Sequence, residues 1–191
     1  MKKLLIIFFI IIFLVPIDIF AENIFENIHK KSCNSLVMLE VLTDEKDNKK
    51  ILGIGICIDK SGIFFTQAIG NSIQDFNIKK ITIHKLNKNK KIYGKLISHD
   101  LTTGLTFIKA LGNYSWEALK FPNEYDIKLG DKVISAGIIE IKNTYSIYLG
   151  FGYISSELKI PESLVYVTGG HLTCLGSVVF SKKGLPIGIV N

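Results

Sequence analysis

Few residues of this chain are equipped for chemistry, and they are widely spaced. His171 and Cys174, three positions apart, would together make an imidazole base and a thiolate nucleophile. The plainer reading of Cys174 is a partly buried thiol, a small hydrophobe with a weak S–H donor, and of Ser177 a turn residue. Of the other cysteines, Cys57 sits in an apolar run and Cys33 in a polar lead-in. Three cysteines cannot all pair within one chain, although a Cys33–Cys57 bridge is compatible with an oxidising compartment. There is no Cys-x-x-Cys and no histidine cluster, so a metal site has no support and no cofactor is expected.

Short strands must position these residues. Leu36 to Leu42 is apolar, and Gly53 to Thr66 reads as a hairpin around the polar turn Asp59-Lys60-Ser61-Gly62. Ile78 to Leu86 alternates, which puts Ile81 and Ile83 on one face and Thr82 and a solvent-facing His84 on the other. Lys91 to Ser98 and Leu105 to Ala110 complete a first half, about residues 35–111. Gly112 to Tyr125, with the single Trp116, reads as the connection. The second half, about 125–191, holds Lys132 to Gly137, a hairpin of Thr144 to Phe151 with Gly152 to Leu158, then Val165 to Val167, Ser177 to Phe180 and Leu185 to Val190. The expected fold is all-β, two sequential antiparallel six-stranded barrels.

From Ser35 onward, four phrases resemble the trypsin-like serine proteases, most of all the HtrA branch: Gly53 to Asn71, Ser98 to Lys109, Leu129 to Gly137 and Gly176 to Val190. In that family the hairpin ends in Thr-x-x-His, which carries the catalytic base; here Thr66-Gln67-Ala68-Ile69 puts isoleucine there. The family's Asp-x-x-x-Asp-Leu-Ala orients that base with its second Asp; here Asp100 matches the earlier, non-catalytic acid, and Gly104 holds the orienting position. The nucleophile phrase Gly-x-Ser-Gly-Gly-Pro is matched by Thr173 to Val179 in two registers, one placing Cys174 and the other Leu175 at the serine. Neither surrounds that position with the small residues an oxyanion turn relies on. The family continues beyond the equivalent of Asn191 with another strand, a C-terminal helix and often PDZ modules, so the resemblance implies a second barrel open at one edge.

The resemblance thus implies a trypsin-fold pseudoprotease that binds a peptide or protein by strand addition. Two alternatives stand beside it: an active endopeptidase of the same fold using Cys174 with His171, and a degenerate, truncated remnant.

Lys2 and Lys3, the apolar run Leu4 to Val15, then Pro16 and Phe20-Ala21-Glu22 have the layout of a secretory signal. Residues 1–21 are read as a signal peptide cleaved after Ala21 and 22–34 as a lead-in with His29 exposed, the polar stretch Glu22 to Ser35 being either a short helix or irregular. The competing reading keeps residues 4–20 as a membrane anchor, near the length limit of about 17 residues for a spanning helix. Either places the folded part outside the cytoplasm, in the periplasm or beyond. The net charge of +6 becomes +5 without Lys2, Lys3 and Asp18, which implies attraction to anionic surfaces. All 23 basic residues are lysine, so the forked donor that reads phosphates and bases is missing and nucleic acid is not expected. The lysine pairs read as solvated turns.

Overall fold

The computed structural model describes residues 17–44, 49–67, 78–86, 90–100, 102–142, 144–159 and 163–190. A helix, α1 (Ile17–Ser35), runs into β1 (Leu36–Thr43), β2 (Lys50–Asp59), β3 (Ile63–Thr66), β4 (Ile78–Lys85), β5 (Lys90–His99) and β6 (Thr106–Ala110). These six strands close into an antiparallel barrel in the order β1-β2-β3-β6-β5-β4. Then come β7 (Lys132–Ile141), β8 (Thr144–Lys159), β9 (Ser163–His171), β10 (Val178–Ser181) and β11 (Pro186–Ile189), which form one five-stranded sheet, β11-β10-β7-β8-β9. The expected all-β architecture in two sequential halves is present.

The first barrel follows from alternation and turn chemistry. Val37, Leu39 and Val41 of β1 point inward beside Cys57, Phe64, Ile81, Ile83, Ile92 and Ile108. The turn from β2 to β3 closes where the sequence puts it: Gly62 N–H donates to Asp59 O at 2.9 Å, Ser61 N–H to Asp59 Oδ1 at 2.7 Å, and Gly62 takes a φ of 86°. A side chain at that φ would be strained, and its Cβ would lie 2.5 Å from Trp116 Nε1. The connector therefore does more than link the halves. Trp116 is buried edge-on to Phe64, 4.8 Å between centroids, and Leu119 N–H donates to Cys57 O at 2.8 Å.

β1 and β2 are buried on both faces, which explains their continuous apolar character. Their outer side chains, Leu36, Met38, Ile54 and Ile56, pack against Ile134, Ala136 and Ile138 of β7, Ile147 of β8 and Val178 and Phe180 of β10. Ile28 of α1 is fully buried in the same cluster, with Ile24 and Phe25 against it. Complete burial of each such side chain contributes about 1.5–3 kcal/mol.

Several expectations need correction. Thr144 to Leu158 is not a hairpin: β8 is one 16-residue strand, paired with β7 along its first part and with β9 along its second. Gly150 and Gly152 mark a close approach of backbones here, not a turn; a Cβ on Gly150 would collide with the His171 carbonyl oxygen. His84 is not solvent-facing. Its ring stands edge-on to Tyr145 of β8 at 5.2 Å, and Thr82 on the same face is buried. None of the three cysteines forms a disulfide. Cys57 points into the barrel, where burial pushes its thiol to about 11, whereas half-buried Cys33 lies on α1 near His29, the sulfur 3.7 Å from Nδ1. His29 is exposed, as expected, and of the two readings of residues 22–35 the helix is the one present, continuing back past Ala21 to Ile17. Lys79, Lys80, Lys90 and Lys91 lie in strands rather than turns.

Candidate functional site

The three positions that would carry catalysis meet different fates. Ile69 lies outside the described residues. Gly104 closes a tight loop: it takes a φ of 71°, and its N–H donates to Asp100 O at 2.8 Å. The Asp100 carboxylate is spent within that loop, accepting Thr103 Oγ1–H at 2.7 Å and Thr102 N–H at 2.9 Å. Those bonds, the threonine hydroxyl's first, hold its carboxyl below the usual range. His99 next to it pairs with the Thr106 hydroxyl at 2.9 Å.

The third position lies in the turn from β9 to β10, at the seam between the halves. Cys174 and Leu175 face Met38, Leu52, Gly53 and Ile54 of the first barrel across an apolar groove of about 350 Å³, with Ile138 at its side. Cys174 is exposed. Its sulfur lies 3.6 Å from Ser177 Oγ and 3.9 Å from Ile138 O, and no imidazole nitrogen is among its hydrogen-bond partners in the described residues. His171 is exposed at the end of β9. The fold thus puts the two in one connection without pairing them. Ser177, read as a turn residue, is fully buried.

The amides of this turn are the informative part. Thr173 N–H donates to Ser135 Oγ at 2.9 Å, and Cys174 N–H to the Tyr148 hydroxyl at 2.9 Å. Gly176 N–H goes to Val190 O at 2.8 Å and Ser177 N–H to Cys174 O at 3.1 Å. An oxyanion hole of the trypsin type needs the N–H of the nucleophile and of the residue two before it. In the Cys174 register the nucleophile's own N–H is held by Tyr148; in the Leu175 register the second donor, Thr173 N–H, is held by Ser135. Each register has lost one of its two donors. Burial first, and next the neighbouring Cys174, push the Tyr148 hydroxyl above its usual range, so it remains a protonated phenol at neutral pH.

Neither Ser135 nor Tyr148 stood out in the sequence. Both act across strands, 38 and 26 positions from their partners, and no local pattern signals such a contact. The same holds for Glu40, which bonds Lys50 at 2.9 Å and lies 3.3 Å from His84 Nε2 beside Tyr145. Among the described residues no three His, Cys, Asp or Glu side chains converge as a metal site would require, and no helix is long and apolar enough to cross a membrane.

No protein-family profile matches the chain, and no protein of curated function matches its sequence. The structure is similar to the crystal structure of Deg5, with a TM-score of 0.65, at 18% sequence identity, over 88% of this chain and 84% of that one. The fold is trypsin-like. At this identity the likeness extends to the fold alone. It spans both halves, so the open five-stranded sheet of this chain is its counterpart of the second trypsin-like barrel.

Proposed function

We propose that this trypsin-fold chain is an exported pseudoprotease that binds a peptide or protein and does not cleave it. The observation that carries the reading is the Cys174 turn, where each nucleophile register has one oxyanion amide already bonded to a side chain. A tetrahedral intermediate formed there would lack a donor, and loss of one such donor costs about 10²–10³ in rate. Replacement of the orienting position by Gly104, the exchange of the base for Ile69 and the absence of an imidazole at the Cys174 sulfur add to it. Export rests on the sequence of residues 1–21.

The test is labelling of the purified chain with a fluorophosphonate and, in parallel, a thiol-reactive peptidyl probe, with casein turnover measured alongside. The expected result is no fold-dependent labelling and no turnover from a chain that melts cooperatively. Labelling at Cys174 that denaturation abolishes, together with turnover, would establish the peptidase alternative. A chain that shows no cooperative melting would favour the remnant.

A further inference from the structure

One wall of the closed barrel carries an unbalanced charge. In the ring β1-β2-β3-β6-β5-β4 the strands opposite β1 and β2 are β6 and β5. Since β1 and β2 pack on the second half, β5 and β6 form the wall turned away from it. Between Ile78 and His99 the chain places seven lysines and no Asp or Glu, and Lys109 of β6 adds another. Ile81, Ile83, Ile92 and Ile108 fill the barrel, so by alternation Lys80, Tyr93, Lys95 and Lys109 stand on its outside. Lys95 lies directly opposite Lys109 in the ladder, and Lys85 opposite Lys90. Like charges so placed cost stability, and among the described residues no ion pair relieves Lys80, Lys90, Lys91, Lys95 or Lys109. Three of them rest on rings or a carbonyl instead. Lys80 Nζ lies 4.6 Å from the centre of the Tyr93 ring and Lys90 Nζ 4.6 Å from that of Tyr114, while Lys109 Nζ donates to Ser61 O at 2.5 Å. Asp59 feels the Lys109 charge, but its carboxylate already accepts Ser61 N–H. Apolar groups stand among these ammoniums: Tyr93 is 57%, Ile97 50% and Leu111 46% exposed, and Leu111 N–H donates to Tyr93 O at 2.8 Å. An open hollow of about 660 Å³ is bordered by Lys95, Lys109 and Leu111 together with Asn113, Tyr114 and Ser115 of the connector.

We propose that this wall docks the protein onto the surface of an anionic lipid bilayer, with lipid phosphates at Lys95 and Lys109 and with Tyr93, Ile97 and Leu111 entering the headgroup layer. The wall's composition selects this occupant. A protein partner is disfavoured because lysine is depleted from the cores of protein–protein interfaces, and here the lysines lie between the exposed apolar side chains rather than around them. Lysine beside tyrosine suits a membrane–water interface, where the ring sits at headgroup level and the lysine stem lies along apolar surface while its ammonium stays in water. A single small anion is disfavoured too, because no arginine is present to grip one phosphate by two bonds. Ammoniums spread along β4, β5 and β6 match a surface of many phosphates, and each lysine held near such a surface is worth roughly fivefold in partitioning. Lipid phosphates would also relieve the repulsion between Lys95 and Lys109. The contact uses neither residues 1–21 nor the Cys174 turn, so it does not depend on whether the chain cleaves peptides.

Co-sedimentation of the purified full chain with phosphatidylcholine vesicles, with and without phosphatidylglycerol, tests this. Two double variants are compared with the unaltered chain: Lys95→Glu with Lys109→Glu on the wall, and Lys128→Glu with Lys183→Glu on the exposed surface of the second half, which change the net charge equally. Phosphatidylglycerol is expected to raise binding of the unaltered chain by about tenfold or more, and salt at about 1 M, where the screening length is about 3 Å, to remove most of that gain. The wall variant should lose the gain and the second-half variant keep it to within about twofold, with equal melting temperatures. If the wall variant melts lower, Lys80→Gln with Lys95→Gln, both at exposed side chains, reads the same loss without charge reversal. Equal binding to the two kinds of vesicle, which is what residues 1–21 alone would give, overturns the proposal, as does an equal loss in the two double variants, which would make net charge the cause. Binding to soluble polyglutamate as tight as to the anionic vesicles overturns it in favour of an acidic polypeptide.

Discussion

Eleven buried residues fill the closed barrel, from Val37 to Trp116, while among the described side chains the interior of the second half is built on Val133, Ile154 and Val179. The second sheet makes up the difference on its other face. Ile134, Ala136, Ile138, Ile147, Val178 and Phe180 are all buried against the outer wall formed by β1, β2 and α1. Among the described residues, the larger buried cluster of the first half lies inside its barrel, and that of the second lies on the face it turns to the first. Substitution has different consequences in the two: the first half loses a closed core, and the second loses its attachment.

Four measurements can break or sharpen this contrast. Phe64→Ala removes a fully buried ring from the closed barrel and its edge contact with Trp116; about 3–5 kcal/mol should be lost in urea denaturation, and a loss below about 1 kcal/mol would mean that the barrel core is not the stabilising element. Gly150→Ala forces β8 and β9 apart at the His171 carbonyl. We expect about 3 kcal/mol, with faster hydrogen exchange in β9 than in the first barrel; unchanged exchange would count against the close approach. Ile154→Ala removes a buried side chain from the smaller cluster of the second half, so its cost should sit near about 2 kcal/mol, the lower end for such changes. Parity with Phe64→Ala would remove the contrast altogether.

The smallest effect concerns the seam at His84. Burial lowers the affinity of His84 for a proton, and neighbouring Lys91 and Lys50 add to this against the pull of Glu40. The unfolded chain then takes the proton more readily, so the stability gained by a neutral His84 is complete above the ordinary histidine range and is lost as pH falls through it. Burial raises Glu40, but the Lys50 and His84 contacts outweigh it and leave its carboxyl lowered; its contribution fades at lower pH in the same direction. The melting temperature should thus fall from pH 7 toward pH 4. In His84→Phe the upper part of that fall should flatten, and identical profiles for the two proteins would exclude His84 as its source.

What could be read from the sequence was local. Asp59 to Gly62 is a turn because its own side chain and its own glycine make it one, and the alternation of Ile81 and Ile83 identifies the barrel face of β4. What could not be read depends on partners brought from elsewhere. Gly150 and Gly152 look like turn residues until β9 is laid across them, and His84 looks exposed until Tyr145 of β8 stands against its ring. At the candidate site, Gly104 and the two-register ambiguity at Cys174 and Leu175 were legible from the chain alone. The side chains that occupy the turn's amides, Ser135 and Tyr148, come from separate strands and were not.

Lys31 Nζ donates to Gly184 O at 3.2 Å between residues 153 positions apart, and Ile28 packs beside that same glycine. A ribosome delivers α1 first and the β10–β11 hairpin last. The contact of Ile28 with Gly184 therefore forms only once the β10–β11 hairpin has emerged, whereas β1, β2, β7 and β8 supply the rest of its seat earlier. α1 is thus seated first against these strands and pinned by the hairpin afterwards.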